Sequence, residues 1–227
     1  MITIKNISIS YNKNKKVIDE LNLILKDKLI HGIVGMNGAG KTTLLNSIFG
    51  IKNIDSGQIL YNQEKISKKN IAYLPAENYF YSNITGKEYL SLIKNQYFDL
   101  NKWNQLFNLP LNKIIDTYSS GMKKKLALLF ILKQNKPIII LDEPYNGLDI
   151  EMSNILYLIL SALKNTGKTI IITSHIIESL TNICDYIHLL ENGTIKYSTE
   201  KSEFENFRKN IFGSIQNKNL ALINELI

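Results

Sequence analysis

One stretch constrains the chain more than any other: Gly35-Met36-Asn37-Gly38-Ala39-Gly40-Lys41-Thr42-Thr43. An apolar run, Leu29-Ile30-His31-Gly32-Ile33-Val34, precedes it, and a helical apolar pattern, Leu44-Leu45-Asn46-Ser47-Ile48-Phe49, follows. Strand, glycine-rich loop and helix start, in that order, are the context in which G-x-x-x-x-G-K-[ST] binds phosphate. Glycines at 35, 38 and 40 permit positive φ and a close backbone approach to a ligand. The loop N–H groups then converge as an anion nest, and the helix N-terminus adds partial positive charge. Lys41 is placed to reach β- and γ-phosphates, and Thr42 to set its hydroxyl on Mg²⁺.

The chain has 227 residues, 44% hydrophobic and 21% charged. That supports one sizeable core in one domain, with room for a subdomain. Lys+Arg 27 against Asp+Glu 20 leaves +7. A basic balance fits nucleic acid or an anionic surface, but the lysines fall in short scattered clusters, the pattern of solvated faces, with Lys123-Lys124-Lys125 the one exception. No nucleic-acid partner is expected. The single cysteine, Cys184, leaves no disulfide within the chain and fits a reducing compartment. The start, Met1-Ile2-Thr3-Ile4-Lys5-Asn6, is a strand pattern and not a signal peptide. No apolar run approaches the ~20 residues of a membrane span. The expectation is a soluble, cytoplasmic protein whose membrane role comes through a partner.

Ile2, Ile4, Ile7 and Ile9 alternate with a one-residue slip, and 21–25 alternates similarly; both predict half-buried strands. Between them Tyr11-Asn12-Lys13-Asn14-Lys15-Lys16 reads as a polar loop. Further strands are expected at 57–62 and 71–74, the latter ended by Pro75. From about 78 to 135 the texture turns helical. Thr85 with Glu88 forms a capping box, Tyr89, Leu90, Leu92, Ile93 and Tyr97 continue it, and another helix opens at Gly121. This span reads as a helical insertion. Ile138 to Leu141 and Thr169 to Thr173 are buried strands, with a helix over 152–163 between them. Ile176 to Cys184 reads as helical, 186–197 as a hairpin about Gly193, and 202–227 as a helical tail. The alternation predicts an α/β fold: a mixed, mostly parallel sheet, a small antiparallel β subdomain and the helical insertion.

A second nucleotide motif follows the P-loop by about a hundred residues: Ile138-Ile139-Ile140-Leu141-Asp142-Glu143. Its carboxylates emerge at the C-terminal end of a buried strand, where open α/β sheets bind ligands. Alone they could be solvated charges. After a P-loop, Asp142 reads as a Mg²⁺ ligand and Glu143 as the group that polarises an attacking water. His175 also follows a buried strand and can serve the γ-phosphate and the water, while His31 and His188 read as structural strand residues. Tyr118-Ser119-Ser120-Gly121-Met122 offers a second anion-binding helix start, or simply a Ser N-cap with a turn glycine. A chain with one γ-phosphate site has use for the second only on another chain's nucleotide.

These residues resemble the nucleotide-binding subunit of ATP-binding-cassette (ABC) transporters, nearly throughout, to about residue 200. Gly35–Thr43 resembles the Walker A loop and Ile138–Glu143 the Walker B strand with its catalytic glutamate. Tyr118–Met122 resembles the family signature, in the Tyr-Ser-x-Gly-Met form of drug, bacteriocin and lantibiotic exporters and immunity transporters. Asn146-Gly147-Leu148-Asp149 is similar to the D-loop, His175 to the switch histidine, and Tyr11 to the aromatic that stacks on adenine. The resemblance implies a P-loop ATPase with ATP and Mg²⁺, working as a pair of cassettes. Ser119 and Gly121 would contact ATP in trans, and separate polytopic membrane subunits would carry the cargo at the cytoplasmic face of the cell membrane. One departure stands out. Where the family usually has Gln after Tyr-Leu-Pro, this chain has Ala76, with Glu77 next. Glu143 and His175 favour a hydrolysing subunit; Ala76 favours a regulatory or weakly hydrolysing one. The aromatic cluster Tyr79-Phe80-Tyr81 is expected on the surface near a membrane partner.

Overall fold

The structure is a computed structural model that describes residues 1–12 and 15–209. The chain opens with β1 (Ile2–Asn12) and β2 (Lys15–Leu25), then β3 (Ile30–Val34), the glycine loop and α1 (Lys41–Phe49). β4 (Ser56–Tyr61), β5 (Glu64–Lys65) and β6 (Ile71–Leu74) follow, then α2 (Gly86–Ser91), α3 (Leu100–Phe107) and α4 (Ser120–Gln134). Alternation resumes with β7 (Ile138–Leu141), α5 (Ile150–Asn165), β8 (Thr169–Ser174), α6 (Glu178–Thr181), β9 (Tyr186–Glu191) and β10 (Thr194–Glu200).

The strands form two sheets. One is antiparallel, ordered β2-β1-β4-β5; the other is ordered β10-β9-β3-β8-β7-β6, parallel throughout except for the β9–β10 hairpin. The central strands are short isoleucine runs because both their faces are covered. Ile139, Leu141, Ile170 and Ile172 face one apolar layer with residues of α4 and α5, while Ile138, Ile140 and Ile171 face the other with α1 and the antiparallel sheet. The slip in β1 is a real irregularity: its register against β2 shifts between Ile4 and Ile7 and again between Ile7 and Ile9, where Asn6 and Glu20 take φ 47° and 46°. A bulge of this kind keeps all four isoleucines on the buried face.

Three expectations need correction. Residues 11–16 are not all loop: β1 and β2 keep pairing to Asn12↔Lys15, because the polar residues lie on a strand pair that tolerates exposure. The apolar pattern through Tyr97 outruns its helix. The capping box starts α2 as expected, but Lys133 Nζ takes the Leu90 carbonyl at 2.8 Å and Asn95 Nδ2 turns to the Lys133 carbonyl at 2.9 Å, drawing the chain out of the helix. Tyr97 ends up exposed. Likewise only Glu178–Thr181 is helical within 176–184. Its N-cap, Ile177, has no capping side chain, and Asp185 N–H pairs with the Ile30 carbonyl to start β9. Of the predicted tail, 204–209 is helical and the remainder lies outside the described residues.

His31 and His188 are buried on adjacent strands and joined, His31 Nδ1 to His188 Nε2, at 3.1 Å. The Lys26 carbonyl can only accept, so His31 Nε2, at 2.9 Å, carries a proton. In the neutral pair His188 Nε2 then donates to His31 Nδ1, and His188 Nδ1 accepts from Ser198 Oγ at 2.8 Å. Every polar atom is satisfied with both rings neutral, and an added proton would place a charge where burial disfavours it. Burial lowers the His31 pKa, and burial with the neighbouring His31 pushes His188 down to about 3. A depressed folded value means that the unfolded chain takes up protons first. This stability is whole above about pH 6.5 and is lost as pH falls; for His188 the loss runs toward about pH 3, at about 1.4 kcal/mol per pH unit. Thermal melts from pH 7 to 5 should fall more steeply for wild type than for His188→Gln; parallel slopes would refute the neutral pair.

Candidate active site

The glycine loop runs from the end of β3 to the start of α1. Gly40 is the N-cap of α1 at φ 105°, and a Cβ there would sit 2.8 Å from Ile18 Cδ1. Gly35 lies so close to β9 that a Cβ would meet the Leu190 carbonyl oxygen at 2.4 Å. Neither position admits another residue without a shift. Met36, Asn37 and Gly38 are exposed, whereas Lys41 is only 7% exposed. Lys41 Nζ donates to the Gly35 carbonyl at 2.7 Å and the Met36 carbonyl at 3.4 Å, across the mouth of the loop. A cavity of about 280 Å³ opens there, between Val17, the loop, Thr42, Thr43 and Glu143.

The motif at the end of β7 meets this loop. Asp142 is fully buried, and its carboxylate accepts from Thr42 Oγ1 at 2.6 Å and from Thr173 Oγ1 at 2.5 Å. The adjacent Thr42 hydroxyl and Asp142 carboxylate are hard oxygens, the donor type that Mg²⁺ takes together with substrate phosphates. Glu143 lies at φ 49°, a left-handed conformation rare outside glycine and costing about 1–3 kcal/mol. Its Oε1 stands 3.4 Å from Lys41 Nζ, and its Oε2 accepts from His175 Nδ1 at 3.0 Å. The carboxylate is thus poised over the lysine with an imidazole behind it.

Other expected site residues stand apart. Tyr11 is outside the cavity lining; its hydroxyl is 3.3 Å from Thr43 Oγ1, and Lys52 Nζ lies 4.5 Å over its ring. Ser119 caps α4, accepting from Met122 N–H at 3.2 Å, so the capping reading holds. Gly121 faces open space, its virtual Cβ meeting nothing nearer than Ser119 Oγ at 4.0 Å. Neither residue lines the cavity of its own chain. Ala76 and Glu77 are exposed, and the Glu77 carboxylate accepts from the Tyr79 hydroxyl at 3.2 Å. In the aromatic cluster Tyr79 and Tyr81 are exposed, while Phe80 packs on Tyr89 with ring centroids 5.1 Å apart.

Two residues of the site escaped sequence reasoning. Thr173 binds Asp142 and also accepts from the Glu143 N–H at 2.9 Å. The signal was a hydroxyl two residues before His175, useful only once β7 and β8 are known neighbours. Lys124 reaches the main-chain carbonyls of Glu143 and Asn146; it stood in the one lysine run that departs from the scattered pattern, and no local feature of that run points to a site.

Fold and site together define a P-loop nucleotide-binding domain. A family model described as ABC transporter matches residues 18–146. The ABC transporter ATP-binding protein YtrB of Bacillus subtilis (strain 168) is 32% identical over 206 residues, covering 86% of this chain and 70% of that protein. The bacitracin transport ATP-binding protein BcrA of Bacillus licheniformis is 30% identical over 211 residues, covering 86% and 68%. Among solved structures, the dimeric ATP-binding cassette MJ0796, in a post-hydrolysis state bound to ADP and Pi, superposes with a TM-score of 0.78 at 20% identity, over 88% of this chain and 99% of that one. The chain belongs to the ABC transporter family, as an ATP-binding subunit with ATPase activity.

The Thr173 hydroxyl serves a buried carboxylate and a main-chain N–H at once. Thr173→Val should therefore cost at least about 2 kcal/mol, lowering Tm by roughly 4–8 °C for a chain of this size, while Thr173→Ser should melt close to wild type. Calorimetry of the three proteins checks this, and a Val variant as stable as wild type would contradict it.

Proposed function

We propose that this chain hydrolyses ATP to energise export of a drug, peptide or similar substrate through separate membrane subunits. The observation that carries the reading is the Lys41–Glu143–His175 array beside the Thr42–Asp142 pair, at the C-terminal ends of neighbouring parallel strands. Residues Gly35 to Thr43 would cradle the phosphates, with Lys41 on the β- and γ-phosphates. Thr42 and Asp142 would hold Mg²⁺, which neutralises charge developing on the phosphates. Glu143 would orient and polarise the water, His175 would fix that carboxylate, and Tyr11 would stack on adenine. The export reading draws on the signature form at Tyr118–Met122 and on a relative named for bacitracin transport.

The second half of the reading is a pair of cassettes. Ser119 and Gly121 stand exposed or half-exposed at a helix start with room beside the glycine. That suits contact with the ATP of a second cassette, and the MJ0796 cassette is itself described as dimeric. Among the described residues no helix is long and apolar enough to cross a membrane, so attachment to the membrane would come through a polytopic partner. The exposed Tyr79 and Tyr81, on a segment of helical texture over 78–135, are the proposed contact. A regulatory, weakly hydrolysing role is favoured by one observation: exposed Ala76 offers no ligand, and Glu77 is engaged by Tyr79.

Lys41→Ala should weaken Mg-ATP binding roughly ten- to a hundredfold, through loss of charge-assisted hydrogen bonds worth about 1.5–3 kcal/mol each. Equilibrium binding within about twofold of wild type would remove the lysine from the phosphate site. Glu143→Gln should bind ATP, turn it over at about a hundredth of the wild-type rate or less, and elute as a dimer with Mg-ATP. Adding Ser119→Arg should abolish that dimer while nucleotide stays bound. A fully active Glu143→Gln protein would remove Glu143 from its role, a dimer indifferent to Ser119→Arg would remove the trans contact, and a wild type without measurable turnover would favour the regulatory reading.

A further inference from the structure

Lys124 lies one turn into α4, three residues after Gly121 and so on the same helix face. Its Nζ donates to the main-chain carbonyl of Glu143 at 3.0 Å and to that of Asn146. The two carbonyls bracket a turn, closed as well by Asn146 N–H donating to the Glu143 carbonyl at 3.2 Å. Within this turn Glu143 takes its left-handed φ of 49°. Such a conformation in a residue with a side chain persists only where the surroundings over-determine it. Here they do so from both sides. The Glu143 N–H is fixed on Thr173 Oγ1 at 2.9 Å, and its carbonyl is fixed by Lys124. With both flanking peptides anchored, the carboxylate is aimed at Lys41 and His175.

We propose that Lys124 is a positioning residue for Glu143: it holds the turn after β7 in its left-handed form and ties that turn to the helix that begins at Ser119. The inference rests on the role given to Glu143 above and adds the residue that sets its geometry. An ammonium on a flexible stem suits the task, with three donors to divide between the two carbonyls. The group is half-buried, and burial lowers its pKa while the Glu143 and Asp142 carboxylates act the other way. Lys124 does not touch the reacting atoms in this account. It acts only through the backbone of Glu143, which fixes what its removal does. Lys41 keeps its hydrogen bonds to the loop's own Gly35 and Met36 carbonyls, so affinity survives and turnover falls.

Steady-state ATPase kinetics of the full chain with Mg-ATP test this, comparing wild type, Lys124→Met, Lys124→Arg, Glu143→Gln and the Lys124→Met/Glu143→Gln double variant. Lys124→Met should lose about 10–100-fold in kcat, the effect of a misplaced catalytic group, with KM within about threefold of wild type. Lys124→Arg, which can still donate to two carbonyls, should recover at least about tenfold of that loss. The double variant should be no slower than Glu143→Gln, since groups acting as one unit are not additive. An unchanged kcat in Lys124→Met overturns the proposal. So does a KM that rises in step with the fall in kcat, or a further loss of about tenfold in the Glu143→Gln background. Should Lys124→Met fail to fold, Lys124→Gln, which keeps an amide donor, is read by the same split of kcat from KM. A Glu143→Gln protein with wild-type turnover removes the Glu143 role and this inference together. An inactive Glu143→Gln beside a fully active Lys124→Met removes this inference alone.

Discussion

The site depends on a buried charge. Asp142 has no exposed surface, and an uncompensated carboxylate in such a place costs several kcal/mol. The compensation comes from two hydroxyls on different elements, Thr42 at the first turn of α1 and Thr173 at the end of β8. One carboxylate therefore fixes the phosphate-loop helix, its own strand and the next strand to a single point. Glu143, one residue on, inherits its position from this knot through its N–H on the same Thr173 hydroxyl.

Strand order explains why these residues can meet at all. The phosphate loop follows β3 and the carboxylates follow β7, but β8 lies between them in the sheet. The end of β8 therefore runs between the two motifs. Thr173 turns to Asp142, Ser174 offers its carbonyl to Gly35 N–H at 3.4 Å, and His175 reaches Glu143. Three consecutive residues serve three parts of the site because parallel strands bring their C-terminal ends to one edge. The isoleucine runs beneath supply the rigidity, since each strand packs against apolar layers on both faces.

What the sequence disclosed followed from how local the physics is. The loop Gly35–Thr43, the strand Ile138–Leu141 with its carboxylates, and the capping box at Thr85 and Glu88 are each specified within about ten residues, and each was legible. The slip among the β1 isoleucines was legible too, although its meaning as a bulge needed β2 beside it. Helix ends in 85–97 and 176–184 were not, because Lys133 and the β9 pairing decide them from elsewhere in the chain. Thr173, Lys124 and the His31–His188 pair share that character. Each contact joins residues far apart in sequence, and nothing in the local pattern of a threonine, a lysine run or two strand histidines reports its partner.

The choice of acceptor for Lys124 is itself informative. A cation near Glu143 could have paired with the carboxylate, and it would then have competed with Lys41 and His175 for the group proposed above to face the water. Bound to the carbonyls of Glu143 and Asn146 instead, it fixes where the carboxylate stands without occupying it. The same ammonium lies on the helix headed by Ser119, the residue proposed above to meet a second cassette's nucleotide. A displacement of that helix start would act on the Glu143 turn through one side chain, with no change needed in the sheet or the phosphate loop. The turn is a sensitive place to receive it, since a left-handed glutamate has no intrinsic preference for its conformation and depends on its anchors to keep it.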